Sequence, residues 1–232
     1  MEALKGKPGN SRSETHKLLS GFKVFRGLEA KHLDGLAKRA VKRVYARGDV
    51  IFSAGEESEN VYGILRGRVH VSRNTSRGRR MVVEVLSKGD LFGIRWDWKT
   101  NSRYYDTTAV AKEPTVVLAI ATSAFQSHCF EVAECAGEMC ALFAQKLKAA
   151  YDQRSLGQET MQVRLAAALA VLHRRFGEVV PLTKKELSEL IDATQETTFR
   201  TISRLQRQGH IQSLRGGIRI LDRKGLDSLI PN

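Results

Sequence analysis

The chain has little that would staple it, anchor it or export it. Three cysteines in 232 residues are an odd number, which argues against a disulfide framework and fits a reducing compartment. The longest uninterrupted apolar run, Leu165–Leu172, is far too short to span a bilayer. Met1–Ser20 is polar and rich in Lys, Gly and Ser with no apolar stretch, so no secretory signal is expected. Acidic residues are also in deficit. Thirty-eight Lys and Arg against 25 Asp and Glu leave a net charge of +13, which favours a polyanion over a neutral metabolite as partner. What is present suits a globular protein: 42% apolar residues for a core, 27% charged residues for a surface, and length enough for one large or two modest domains. The expectation is a soluble, cytoplasmic, polyanion-seeking protein.

The charge is uneven. Residues 1–50 carry 12 basic and 5 acidic side chains, residues 51–159 carry 14 and 13, and residues 160–232 carry 12 and 7. A near-neutral middle between two basic ends suggests a sensing or scaffolding part beside a polyanion-binding part. The middle reads as short β-rich runs, at Val41–Ala46, Val50–Ser53, Val61–Leu65, Arg68–Ser72, Arg80–Leu86, Thr107–Ala111 and Thr115–Ile120. A corner device occurs twice among them, Gly48-Asp49 followed by Val50-Ile51 and Gly89-Asp90 followed by Leu91-Phe92. Glycine supplies a positive φ at a tight corner, and aspartate can bond its own backbone there. Short strands with such corners predict a double-sheet roll or barrel.

From Ser123 the period changes to that of a helix. Val132, Ala136, Met139, Phe143, Leu147 and Ala150 recur at steps of three and four, a continuous apolar stripe. Pairing with the same helix of a second subunit would cover that stripe, and packing back on the roll is the alternative. Gly157 marks a hinge, and Thr160–Arg175 is a further helix closed by Gly177.

The C-terminal part carries the informative pattern. Thr183 and Glu186 have capping-box spacing, so a helix starts there and runs to Ile191. Asp192-Ala193 form a turn, Thr194 caps the next helix, and Gln195–Gln208 form it with Ile202 and Leu205 inward. A hairpin over Gln212–Leu221 follows, with Arg215-Gly216-Gly217 at its tip. Helix, tight turn, helix and hairpin make a winged helix-turn-helix. Its second helix can enter a major groove while Thr183, Lys184, Lys185 and Arg215 touch phosphates. Arginine offers guanine two hydrogen bonds and a carboxylate accepts from cytosine, and Glu196 and Arg200 stand one helical turn apart as such reading requires. The competing reading of that pair is a solvated i,i+4 ion pair.

On these residues the chain resembles the CRP/FNR family of bacterial transcription regulators, from about Ser20 to the end. Thr194-Gln195-Glu196-Thr197-Thr198-Phe199-Arg200 is similar to the family's Glu-x-x-x-Arg recognition helix. Asp192 stands where a turn glycine is common, and Phe199 where a small residue is usual. The resemblance implies an α+β chain with four parts. Residues 1–20 would be a flexible basic tail and 21–127 a β-roll resembling a cyclic-nucleotide-binding domain. Residues 128–159 would hold the dimerisation helix and hinge, and 160–232 the DNA-binding domain. It further implies a homodimer on palindromic double-stranded DNA with half-sites of the TGA type, acting as an activator with RNA polymerase as partner and no membrane attachment. Gln195, Glu196, Thr198, Phe199, Arg200 and Arg204 would face the groove.

The resemblance does not extend to cyclic AMP. In the members that bind it a Gly-Glu pair holds the ribose after the second Gly-Asp corner. Here Gly93 is followed by Ile94. No arginine stands in Tyr105–Val110, where one meets the phosphate; Arg103 is offset, and Asp106 would repel it. Ala149-Ala150 replace the polar pair that meets the adenine. The iron–sulfur branch places a cysteine cluster ahead of the roll, whereas the first cysteine here is Cys129. Cys129, Cys135 and Cys140 are read as buried structural thiols. His16, His70 and His128 are conceivable haem ligands, but histidines so scattered read better as surface or satisfied residues, and no cofactor or metal is predicted. An effector pocket, if the roll keeps one, would draw on Ile94, Arg95, Trp96, Trp98, Arg103, Tyr105 and Thr107. A constitutive DNA binder with a vestigial roll, or a haem- or redox-responsive member, are the alternatives. A cupin-type oxygenase would need clustered ligands, and His70 is the one histidine in the strand-like runs. No nucleophile elbow, phosphate loop or HExxH is present, so no catalytic residue is predicted.

Overall fold

A computed structural model describes residues 12–76, 78–94 and 104–231. They divide into two compact units, residues 12–73 with 84–145 and residues 74–83 with 146–231.

The first unit opens with α1 (Arg12–Leu19), a 3-10 turn at Lys23–Phe25 and α2 (Ala30–Ala37). Arg12–Leu19 therefore is not tail as its sequence suggested: Thr15 and Leu19 are buried, and Leu19 joins the core with Phe22, Phe25 and Leu36. Along the chain eight strands of the described residues follow: β1 (Ala40–Tyr45), β2 (Val50–Phe52), β3 (Asn60–Arg66), β4 (Arg68–Asn74), β5 (Arg80–Ser87), β6 (Leu91–Phe92), β7 (Thr108–Ala111) and β8 (Thr115–Ala121). They form two four-stranded sheets, in the orders β1-β8-β3-β6 and β2-β7-β4-β5. The pairing explains the composition. β8 is paired on both sides, antiparallel to β1 and to β3, and reads as a nearly continuous apolar run. β1 lies at a sheet edge and exposes Lys42 and Arg43, charges of the kind that discourage edge-to-edge pairing.

Both predicted corners form and share one geometry. Gly48 and Gly89 take φ of 95° and 91°. Asp49 Oδ2 accepts from Ala46 N–H at 2.8 Å, and Asp90 Oδ2 accepts from Ser87 N–H at 2.6 Å. Each aspartate thereby satisfies the backbone that its glycine has turned.

After β8 come α3 (Thr122–Cys129) and the long α4 (Ala133–Leu156). The first half of α4 is part of the first unit's core: Cys135 and Met139 are buried in the cluster that holds Phe25, Phe125, Leu118 and Ile120.

The second unit contains α5 (Met161–Phe176), β9 (Val179–Val180), α6 (Lys184–Leu190), α7 (Gln195–Arg207), β10 (Ile211–Leu214), β11 (Gly217–Ile220) and α8 (Arg223–Ser228). Four of its helices begin on a side chain that accepts from the first turn, at Thr160, Thr183, Thr194 and Asp222. Of the three residues predicted at the hairpin tip, Arg215 and Gly216 form the turn, because Gly217 already pairs with Leu214. Gly217 has its own reason to lack a Cβ, which would sit 2.8 Å from Val180 O where β9 pairs with β11.

Candidate nucleic-acid interface

The site starts from two caps. Thr183 Oγ1 accepts from Glu186 N–H at 3.2 Å, and Glu186 Oε2 accepts from Thr183 N–H at 2.9 Å, so the predicted capping box closes in both directions. Thr194 Oγ1 accepts from Thr197 N–H at 3.2 Å and starts α7. Between the two helices Asp192 takes φ of 46°, a left-handed conformation that aspartate tolerates better than most non-glycine residues.

Burial then divides α7 into two faces. Thr198, Thr201, Ile202 and Leu205 are buried, all but Thr201 completely. Gln195, Glu196, Phe199, Arg200, Ser203, Arg204 and Arg207 are exposed. At 100° per residue the exposed set fills one half-turn of the helix and the buried set lies opposite. Burying Ile202 and Leu205 contributes on the order of 1.5–3 kcal/mol each, enough to fix the rotation of the helix. Glu196 and Arg200 are thus presented together, and they do not close an i,i+4 ion pair of the kind seen at Lys148–Asp152 and Arg223–Asp227.

Thr198 does not face the groove as its sequence position predicts. It is fully buried and its hydroxyl donates to Thr194 O at 2.9 Å, so it fixes the helix start and cannot reach a base. Thr183 is committed to its cap. Lys185 and Arg215 are exposed, and Lys184 Nζ lies 5.7 Å from the centre of the Phe199 ring. Ser203 and the wing's Arg219 are exposed but escaped the sequence reading. The helical period from Glu196 would have found Ser203.

The stripe on α4 divides. Met139 is 1% exposed, and Val132 and Phe143 pack against the same core, so these three serve the roll of their own chain. Leu147 and Ala150 are exposed, and Ala136 is half-buried. One residue step further round the helix, Gly137, Cys140, Ala144, Leu147, Lys148 and Tyr151 form an exposed row. Small residues at the start of that row gave no apolar periodicity to detect. Cys129 and Cys135 are buried as expected, whereas Cys140 is exposed. The hydrogen bond of Cys129 to Cys135, reinforced by burial, pushes the Cys129 thiol well above the ordinary thiol range.

In the roll, the sequence-predicted pocket residues Arg95, Trp96, Trp98 and Arg103 lie outside the described residues. Ile94 packs against the hydrophobic core, and Thr107 is half-buried. Tyr105 is 7% exposed, stacks on Phe52 with ring centres 3.8 Å apart, and donates its hydroxyl to Asn60 O at 2.6 Å. Phe52 in one sheet also stacks on Tyr62 and Phe92 in the other, at 5.7 and 6.0 Å. The four rings bridge the sheets, and burial holds the Tyr62 phenol above its ordinary range. Asp106 faces Arg73, whose guanidinium donates to it at 2.5 Å.

A β-roll carrying cyclic-nucleotide-domain topology, a long helix and a winged helix-turn-helix with a polar, arginine-bearing recognition face define a DNA-binding regulator. Comparison with known proteins agrees. Residues 42–131 match the cyclic nucleotide-binding domain family, and residues 163–229 match the Crp-like helix-turn-helix domain family. The chain is 30% identical over 198 residues to the nitrogen fixation regulation protein FixK of Azorhizobium caulinodans, covering 80% of this chain and 77% of that one. It is 22% identical over 205 residues to a CRP-like cAMP-activated global transcriptional regulator of Mycobacterium tuberculosis, covering 84% and 91%. The structure of FixK2 from Bradyrhizobium japonicum matches with a TM-score of 0.74 at 25% identity, over 83% of this chain and 98% of that one. The chain belongs to the CRP/FNR family of transcription regulators. That family consists of regulators, not enzymes, and no helix among the described residues is long and apolar enough to cross a membrane.

Proposed function

We propose that the protein is a homodimeric, sequence-specific activator that sets two copies of α7 into successive major grooves of a palindromic site. The observation that carries this is the division of α7, in which every buried side chain lies opposite Glu196 and Arg200. In this reading Arg200 donates to guanine and Glu196 accepts from cytosine within a half-site of the TGA type. Gln195, Arg204 and Arg207 flank them, and Lys185 and Arg215 hold phosphates. Residues 160–231 act as the DNA-binding domain, and the roll with α4 sets the spacing of the two copies. The exposed row Gly137, Cys140, Ala144, Leu147, Lys148 and Tyr151 pairs with its twofold mate, small residues letting the helices approach. RNA polymerase is the further partner of an activator, and the cytoplasm its compartment.

Cyclic AMP plays no part in this scheme. Ile94 supplies no carboxylate for a ribose, Asp106 is paired with Arg73, and four aromatic rings occupy space between the sheets. The same rings favour a second reading in which the roll is a scaffold and DNA binding is constitutive. Arg200→Ala tests the main proposal. It is expected to cost on the order of 1–3 kcal/mol per half-site contact and to abolish discrimination between a palindrome selected from random DNA and random DNA itself. Undiminished discrimination rejects the assignment. Binding that is equally tight with and without added cyclic AMP supports the nucleotide-independent scheme, and tightening on its addition refutes it.

A further inference from the structure

We infer that Phe199 reads the methyl group of a thymine, one pair of symmetric thymines in the palindrome being selected by this ring. The inference rests on the DNA-reading role proposed for α7 and adds to it a specificity that Glu196 and Arg200 cannot supply.

Three observations place the ring at the base edges. Phe199 is 39% exposed, although it is the one large apolar side chain on the outward half of α7. By helical period it stands between Gln195 and Ser203, one turn beyond Gln195 and next to Arg200, and away from Thr198, Ile202 and Leu205, which close the core. It also has a neighbour on the preceding helix: Lys184 Nζ sits 5.7 Å over the ring, a cation–π contact worth about 0.5–1 kcal/mol at an exposed site, which favours the outward position.

Chemistry then narrows what the ring can meet. Every other exposed side chain of this face is polar and suits the donors and acceptors of base edges. Phenylalanine offers none of these and gains only by burying apolar surface. The major groove presents one apolar feature, the C5 methyl of thymine, and Phe is among the side chains that pack on it. Favouring that position beforehand trims the entropy lost on contact. A phosphate cannot be its target, since the ring carries no donor. A role confined to the protein's own core does not fit its exposure.

The test begins with selection of a preferred duplex from a random pool by the wild-type dimer. Each thymine of the selected site is then replaced, symmetrically and one position at a time, by uracil, which lacks only the methyl. Wild type, Phe199→Ser and Phe199→Leu are measured against the set. At one thymine position the wild type is expected to lose about fourfold in affinity per half-site, the value of one buried methyl-sized group. Phe199→Leu should keep part of that penalty and Phe199→Ser none. Equal wild-type affinity for thymine and uracil at every position overturns the inference, as does a full penalty in Phe199→Ser. Failure of the wild type to select any sequence overturns the DNA-reading role itself, which separates the two failures.

Discussion

Asp222 shows how much one side chain can fix. It caps α8 by accepting from Gly225 N–H at 2.9 Å, and it faces His210 Nδ1 at 3.1 Å just beyond the end of α7. The backbone hydrogen bond first, and the histidine second, hold its carboxyl below the ordinary aspartate range. A lowered folded-state value means that the unfolded chain takes up protons first as pH falls. The contribution of Asp222 is therefore complete above its unfolded pKa and is lost as pH drops through the folded one. Asp222→Asn should lower the thermal midpoint at neutral pH and converge with wild type in acid, as followed by circular dichroism across pH. Parallel curves would contradict this. At the same scale, the caps at Thr183 and Thr194, both Gly-Asp corners and the left-handed Asp192 were legible in the sequence, because each is settled within four residues. Thr198 was not, because its hydroxyl could serve DNA or its own helix equally until the helix rotation was known.

Among the elements, α4 separates two uses of one helix. Its sequence shows a single apolar stripe, and the fold sends much of that stripe inward: Met139 is buried beside residues of α1, α3 and the sheets. Met139→Ala should destabilise the chain by roughly 2–5 kcal/mol in denaturant unfolding, as a cavity in a packed core does. Ala144→Arg, on the exposed row, should leave that unfolding nearly unchanged yet convert a dimer to a monomer in sedimentation. A charged chain at a close helix–helix contact can be neither desolvated nor paired cheaply. A dimer that survives Ala144→Arg places the interface elsewhere. α7 was more legible than α4 because its inward and outward residues differ in kind, Ile and Leu against Arg, Glu and Gln, whereas the outer row of α4 starts with glycine, cysteine and alanine. β6 and β9, of two residues each, gave no pattern long enough to detect, and each exists because a longer strand pairs with it.

For the whole molecule the governing quantity is charge. A net +13 makes binding to any duplex strong at low salt, so affinity alone says little about specificity. The logarithm of the binding constant should fall linearly with the logarithm of salt concentration. Lys185→Gln and Arg215→Gln should each reduce the steepness of that fall by about 1 while leaving the preferred sequence unchanged. A change of preferred sequence in either variant would move that side chain from phosphates to bases.

By itself the sequence determined the order of the parts: a roll with Gly-Asp corners, a long helix and a winged helix-turn-helix with Glu196 and Arg200 on one face. Period, cap and turn chemistry act over a few neighbouring residues, and those neighbours are written side by side. Tertiary structure decided which face of α4 is spent on the core, that Arg12–Leu19 packs as a helix, that Phe52, Tyr62, Phe92 and Tyr105 stack across two sheets, and that Thr198 turns inward. Burial is a property of side chains brought together from distant stretches, and no local pattern encodes who those companions will be.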